Sequence, residues 1–403
     1  MTERNSFTTD ADRHRQSISI EMMGEEISRQ YKVSLSRQTY EEYFARIKSG
    51  DPSKLVVIID EAQFVAKRDT SFMEAVAKLK KHKLYPGPVL IILATSSTVW
   101  ATQEASEQFK GAEMKLESLN FLEVVRHFES LPVAEIVRIY GAIGGVPAYL
   151  DKWDAAKSFK ENICRLVLTP SGALYGEADA VISSELRELS AYSTILAAIA
   201  RGENKLNDIF HATGFSRAKI SVYLKNLATF NIVEKVVSFE TGGWENAKKG
   251  VYQIKDTFVN FWFKFVYPNM SNLYLLSPEE FYDTYIEKEL DAYLERYFRE
   301  VCTEYLLILN QMGQLPFTIK RVGTWIGKTG RIDIVAQSED RRSIIGFCNW
   351  DKPMMTMDMC ENMAMAMDQA RLTSDDYYLF SATDFEPALQ SYVSETLDSS
   401  SST

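Results

Sequence analysis

Two neighbouring acids, Asp60 and Glu61, close the apolar run "LVVII" that begins at Leu55. Such a run suits a strand buried on both faces of a parallel sheet, with carboxylates emerging at its C-terminal edge. In open α/β sheets ligands bind at that edge. Acids so placed suit phosphoryl transfer: Asp60 would hold Mg²⁺ through water, and Glu61 would polarise the attacking water. A second apolar run, "PVLIILAT" over 88–95, leads into Ser96 and Ser97. It reads as a second buried strand, and the polar end with Ser96 is placed as a sensor beside the phosphate.

The first run has the form of a Walker B strand, and its usual complement is missing. A phosphate-binding loop needs G-x-x-x-x-G-K-[ST], because glycines let backbone amides cradle phosphate while the lysine neutralises it. Before Asp60 the glycines are Gly24 and Gly50, and neither begins such a motif. On its own, therefore, the acid pair is equally an ordinary buried strand ending in solvated carboxylates.

The elements that must position these residues belong to a long chain. Its 403 residues exceed what one core holds, so two or three domains are expected. A hydrophobic content of 46% can bury a sizeable core, and a net charge of −10 leaves any nucleic-acid contact to a local patch. Cys164, Cys302, Cys348 and Cys360 form no C-x-x-C and no cluster with histidine, which suits a reduced, cytoplasmic compartment. No window approaches the roughly 18 apolar residues of a membrane span, so no membrane partner is expected. Along the chain, 1–54 is polar and mainly helical in pattern. A helix near Ser71 to Lys81 separates the two strands, and helical segments continue to about 185. A compact helical unit precedes a β-like pair near 233–254. The last part is mixed, with a strand pair near 317–336, the strand "RSIIGFCNW", a Met-rich helix and the strand "YYLF".

Further stretches carry a resemblance: the turn "YGAIGGVPAYLDKW" over 140–153, the run "LRELSAYSTILAAIARGENKLNDIFHATGFSRAKISVYLKNLATFNIVEKVV", and "KKGVYQIKDTFVNFWFKFVYPN". Together with the acid strand they resemble the archaeal-type P-loop ATPase family from about residue 50 to 388, with 186–269 the most specific part. The resemblance implies an α/β multidomain protein. It would have a partial RecA/AAA-like parallel sheet, a helical winged-helix domain and a C-terminal α/β domain like a restriction endonuclease. The implied domains are 1–152 for the ATPase part with its lid, 153–185 a helical linker, and 186–254 the winged helix. A helical connector follows over 255–289, the endonuclease-like domain over 290–388, and a disordered tail over 389–403.

The resemblance also implies ATP and Mg²⁺ as cofactors, with Asp60 as the metal residue, Asp60, Glu61 and Ser96 as catalytic residues, and Gly144, Gly145 and Pro147 near the adenine. Two parts depart from the family pattern. Ala112 stands where an arginine is expected, and the P-loop strand is absent. Deleting a central strand would strand backbone groups at about 1–3 kcal/mol each. The expectation is that Met1 is not the ancestral start and that the chain as written does not hydrolyse ATP.

The winged helix would present Ser216, Arg217, Lys219, Ser221 and Lys225 on a recognition helix, with Lys248 and Lys249 on the wing. Winged helices also serve as packing modules, and charged residues usually mark a solvated face. In the endonuclease-like domain the family pattern of two acids and a Glu-x-Lys falls on Arg299, Asp333, Phe347 and Asn349. One carboxylate beside an arginine holds a divalent cation poorly, so cleavage is not expected, and Asp333 would pair with Arg299 or Arg331. The aromatic run Phe258 to Pro268 and the Met-rich helix read as packing. Three classes stay open: an ATPase whose P-loop lies outside this chain, a silent DNA- or protein-binding module, and a mobile-element remnant. DNA, a protein partner and a second copy are the partners to test.

Overall fold

The computed structural model describes residues 6–7, 39–46, 55–67, 70–81, 84–85, 87–97, 99–183, 186, 188–239, 250–327 and 330–400. The chain divides into two compact units, Met1–Leu116 and Glu117–Thr403. Residues 117–152, expected to close the first domain, thus group with the second unit.

In the first unit a three-stranded sheet runs β1 (Ser6–Phe7), β2 (Leu55–Ile59), β3 (Val89–Leu93), all parallel. The described part of the N-terminal segment, expected to be mainly helical, therefore includes a strand as well as the helix Tyr40–Arg46. β2 and β3 pair Leu55 with Val89 through to Ile59 with Leu93. Because side chains alternate across a sheet, Leu55, Val57 and Ile59 face one way. They join Phe44, Phe72, Val76 and Leu79 in a core built with the helices Tyr40–Arg46 and Thr70–Lys80.

The opposite face holds Val56, Ile58, Leu90 and Ile92, and there Leu90 is 56% and Ile92 42% exposed. The expectation of a second buried strand is corrected: on β3, Leu90 and Ile92 are exposed, and Val89, Ile91 and Leu93 are half-buried. The apolar run fixes the extended backbone, and its coverage depends on what packs against it.

The second unit is built around one large core rich in aromatic rings. Phe258, Phe261, Trp262, Phe263 and Phe265 are all buried within it. Three helices, Leu189–Ala200, Leu206–Thr213 and Arg217–Thr229, precede an antiparallel hairpin of β4 (Val233–Val236) and β5 (Val251–Ile254). Gly214, at φ +69°, ends the second helix, and the Ser216 hydroxyl caps the third by accepting from the amide of Lys219 at 3.2 Å.

The long helix Glu287–Gln311 leads into a mixed sheet of β6 (Arg321–Ile326), β7 (Arg331–Gln337), β8 (Ser343–Asn349) and β10 (Asp376–Ser381), ordered β10-β8-β7-β6. Between β8 and β10 come β9 (Met354–Met355) and the Met-rich helix Met357–Ala370; the latter supplies the crossover that parallel neighbours require. β11 (Asp384–Phe385) pairs with β9. The disorder expected from residue 389 is corrected over 389–400. Pro387–Ser400 is helical, and Leu389 is buried in the C-terminal core, which gives the first turn an anchor.

Candidate functional site

At the C-terminal end of the first sheet, Asp60 is exposed and its Oδ1 accepts from the Glu61 amide at 2.9 Å. Glu61 stands at φ +48°, a left-handed conformation rare for a residue with a side chain, and caps the short helix Ala62–Ala66. Such a backbone costs on the order of 1–3 kcal/mol unless its surroundings hold it.

They do hold it. Oε2 of Glu61 accepts from Gln63 Nε2 at 2.5 Å, from Ser96 Oγ at 2.8 Å and from the Ser96 amide at 3.3 Å. Gln63, 2% exposed, also donates to Ser96 Oγ at 3.0 Å, and its Oε1 accepts from Thr95 Oγ1 at 2.5 Å. The acid after β2 and the polar end of β3 are thus tied into one network. Gln63 is the residue that sequence reasoning missed. Its only signal was a lone amide in an otherwise apolar turn.

Phosphate finds no matching cradle, since no described residue near Asp60 belongs to a glycine-rich loop with a lysine. Among the described residues no three His, Cys, Asp or Glu side chains gather to hold a metal directly.

Gly144, Gly145 and Pro147 lie in the second unit, where packing explains them. Gly144 ends the helix Val133–Ile143 at φ +70°. A Cβ on Gly145 would stand 1.9 Å from the carbonyl oxygen of Leu119, whose amide donates to the Gly145 carbonyl at 2.8 Å. Pro147 occupies the first turn of the helix Pro147–Leu150, where its fixed φ costs nothing. Ala112 lies in an exposed, irregular stretch of the first unit.

On the helix Arg217–Thr229, Ile220, Tyr223, Leu224 and Leu227 face the core, while Ser216, Arg217, Lys219, Ser221 and Lys225 are exposed. At 3.6 residues per turn, the outward face centres on Ala218, Ser221, Val222 and Lys225. Arg217 and Lys219 flank it, each laid over an aromatic ring. The Arg217 guanidinium is 4.1 Å from the centre of Phe210 and donates to Asn207 Oδ1 at 2.5 Å; Lys219 Nζ is 4.5 Å from the centre of Phe215. Tyr223 donates to Glu188, and that hydrogen bond, helped by burial, pushes its phenol up to about 12. Lys248 and Lys249 lie outside the described residues.

The four endonuclease-like positions do not make a metal site. Asp333 on β7 faces two guanidinium groups, with Arg331 Nε at 3.3 Å and Arg299 Nε at 3.7 Å from Oδ1, while Oδ2 accepts from the Cys348 amide at 3.2 Å. Burial, then the neighbouring charge of Arg331, lowers the pKa of Arg299. Phe347 is buried in the C-terminal core and stacks on Tyr377 at 6.3 Å. Asn349, 2% exposed, donates to the Lys352 carbonyl and to Ser381 Oγ, tying β8 to β10.

Residues 262–365 match the model of the DUF234 family, described as archaea bacterial proteins of unknown function. An uncharacterized protein of Methanocaldococcus jannaschii is 27% identical over 326 residues, which cover 79% of this chain and 71% of that protein. Among solved structures, the ORC1 protein of Aeropyrum pernix in complex with DNA aligns over 64% of this chain and 71% of its own. The identity there is 13% and the TM-score 0.27, too distant to define a shared fold. No helix among the described residues is long and apolar enough to cross a membrane.

Proposed function

We propose that this chain is a DNA-associated protein of ATPase descent that does not turn ATP over by itself. The observation that supports DNA contact is the outward face of the helix Arg217–Thr229. Short side chains, Ala218 and Ser221, stand at its centre, Lys225 projects beside them, and two cations braced on rings flank it. Three helices followed by a hairpin are the order of a winged helix, in which the third helix enters the major groove. Bracing lowers the entropy lost when a long side chain meets phosphate. On a chain of net charge −10 this is a local basic patch rather than a global field.

Fluorescence anisotropy of labelled duplex DNA, titrated between 50 and 200 mM salt, tests the reading. Each lysine or arginine that neutralises a phosphate contributes about −0.9 to the slope of log K against log salt. Lys225→Ala and Arg217→Ala should each make the slope shallower by roughly that amount. Absence of binding at the lowest salt, or slopes unmoved in both variants, overturns the proposal.

A second reading is favoured by the network that joins Glu61, Gln63, Thr95 and Ser96: the first unit binds Mg²⁺-ATP, with Asp60 holding the ion. Calorimetry with Mg²⁺-ATP separates the two. Heat that disappears in Asp60→Asn supports the second reading, and no heat leaves the first.

A further inference from the structure

A cavity of about 770 Å³ opens within the second unit, lined by the β4–β5 hairpin, the aromatic segment after Ile254, the helix Glu287–Gln311 and the start of β7. Its charged lining is Lys264, Arg296, Arg299, Arg331, Glu300 and Glu304. Four of these are already engaged. Arg296 donates to Glu300 and to the Ile254 carbonyl, both at 2.8 Å, and Lys264 lies 2.7 Å from Glu289. Glu304 accepts from the amides of Phe121 and Leu122 at 3.1 Å.

Arg299 and Arg331 remain, and they share one carboxylate oxygen, Oδ1 of Asp333. The other acid near Arg299 is Glu295, at 3.8 Å. Separations of 3.7 and 3.8 Å are ion-pair distances, too long for hydrogen bonds. The Arg299 side chain is 16% exposed, and among the described residues its N–H groups have no hydrogen-bond acceptor. Buried charges are ordinarily both paired and hydrogen-bonded. A guanidinium offers five donors in a planar fork, so this one faces the cavity with an unmet demand for oxygen acceptors.

We infer that this cavity binds a phosphate-bearing small molecule of nucleotide size, with the phosphate held between Arg299 and Arg331. Asp333 already accepts from the Cys348 amide, and its two oxygens reach neither guanidinium as a fork, whereas the terminal oxygens of a phosphate can serve two forks at once. The volume lies in the range of small-molecule sites, about 300–1,000 Å³. Tyr252, Val251 and Ile326, the last paired with Arg331 across the β6–β7 ladder, offer an aromatic and apolar wall for a ring, and Asn204 offers a polar contact. Where carboxylates would have gathered a divalent ion, this site presents cations. It therefore takes the anion directly, with no metal between.

Calorimetry on the full chain, in buffer with EDTA, tests this with AMP as the probe and adenosine as the phosphate-free control. The expected result is that AMP binds and adenosine binds at least tenfold more weakly. Arg299→Gln and Arg331→Gln should each weaken AMP tenfold or more. Thermal melts accompany both variants; if Arg299→Gln fails to fold, Arg331→Gln, whose side chain is more exposed, decides.

Equal affinity for AMP and adenosine, AMP binding unmoved in the variants, or binding that requires magnesium overturns the inference. No heat with AMP also overturns it. If a short single-stranded oligonucleotide then binds in an Arg299-dependent manner, the cavity belongs to a nucleic-acid surface instead.

Discussion

β3 and β8 are both apolar strands with parallel neighbours, yet Leu90 and Ile92 of β3 are 56% and 42% exposed while Ile344 and Ile345 of β8 are fully buried. The difference lies in what surrounds each strand. β8 sits between β7 and β10, with the long helix Glu287–Gln311 and the core of Phe347, Met355 and Met367 closing its faces. β3 pairs with β2 alone among the described strands, and Leu90 and Ile92 stand exposed on one of its faces. Parallel sheets are normally covered on both faces. The polar end of β3 is nonetheless the better organised, because Ser96 and Thr95 are locked onto Glu61 through Gln63. Among the described residues, the first unit thus combines an ordered edge chemistry with a partly exposed strand, and the C-terminal sheet combines a buried central strand with an edge where one carboxylate stands between two arginines.

The sharpest way to break this comparison is one truncation in each strand. Ile345→Ala should cost about 2–5 kcal/mol, as for other buried aliphatic truncations, whereas Ile92→Ala should cost well under 1 kcal/mol because its side chain is already partly in water. Denaturant titration of both variants checks this, and equal losses would mean that the outer face of β3 is covered in solution. Gly145→Ala should be next, at about 1–3 kcal/mol for overpacking, because its Cβ meets the Leu119 carbonyl rather than a movable side chain. A melting temperature unchanged in Gly145→Ala would show that this turn yields easily.

In the first unit, Gln63→Leu keeps the buried volume but removes the amide that joins Glu61 to Thr95 and Ser96. The partners left behind are half-buried or exposed, so the loss should be about 0.5–1.5 kcal/mol, the net worth of a typical hydrogen bond. Hydrogen exchange at the end of β3 should rise with it, and no change there would mean that Glu61 and Ser96 hold together unaided. The smallest effect concerns Cys164. Burial, with the nearby charge of Glu279, pushes this thiol up to about 12, so the reactive thiolate is scarce at pH 8. Alkylation of the native chain should leave Cys164 unmodified while denatured chain is labelled; rapid native labelling would show the second unit opening.

Much of this was legible in the order of residue types. The apolar runs at Leu55 and Val89, the strands of the C-terminal sheet and the helix with Ser216 at its cap follow from local pattern and capping chemistry. Coverage was not legible, because an apolar strand looks the same whether or not another layer lies over it. Leu90 and Ile92 show this directly. Nor could spacing reveal Gln63, whose role depends on meeting Ser96, 33 positions away. Gly144 and Gly145 suggested a ligand turn, while the structure supplies a packing reason in the Leu119 backbone. The helix Pro387–Ser400 was hidden by a serine-rich composition, since one anchoring leucine is a weak signal in sequence. Asp333 was foreseen beside an arginine, but its sharing between two required the helix and the sheet to be brought together.

The outward face formed by Val56, Ile58, Leu90 and Ile92 has a consequence for how the molecule behaves in solution. An exposed aliphatic surface on an open sheet edge is where chains adhere to one another. Sulfate and phosphate salts strengthen such adhesion by their exclusion from protein surfaces, and cooling weakens it. The native chain should therefore enhance the fluorescence of an apolar dye without any denaturant. Its shelf life should depend on the choice of anion in the buffer, with Leu90→Lys the substitution that frees it from that dependence.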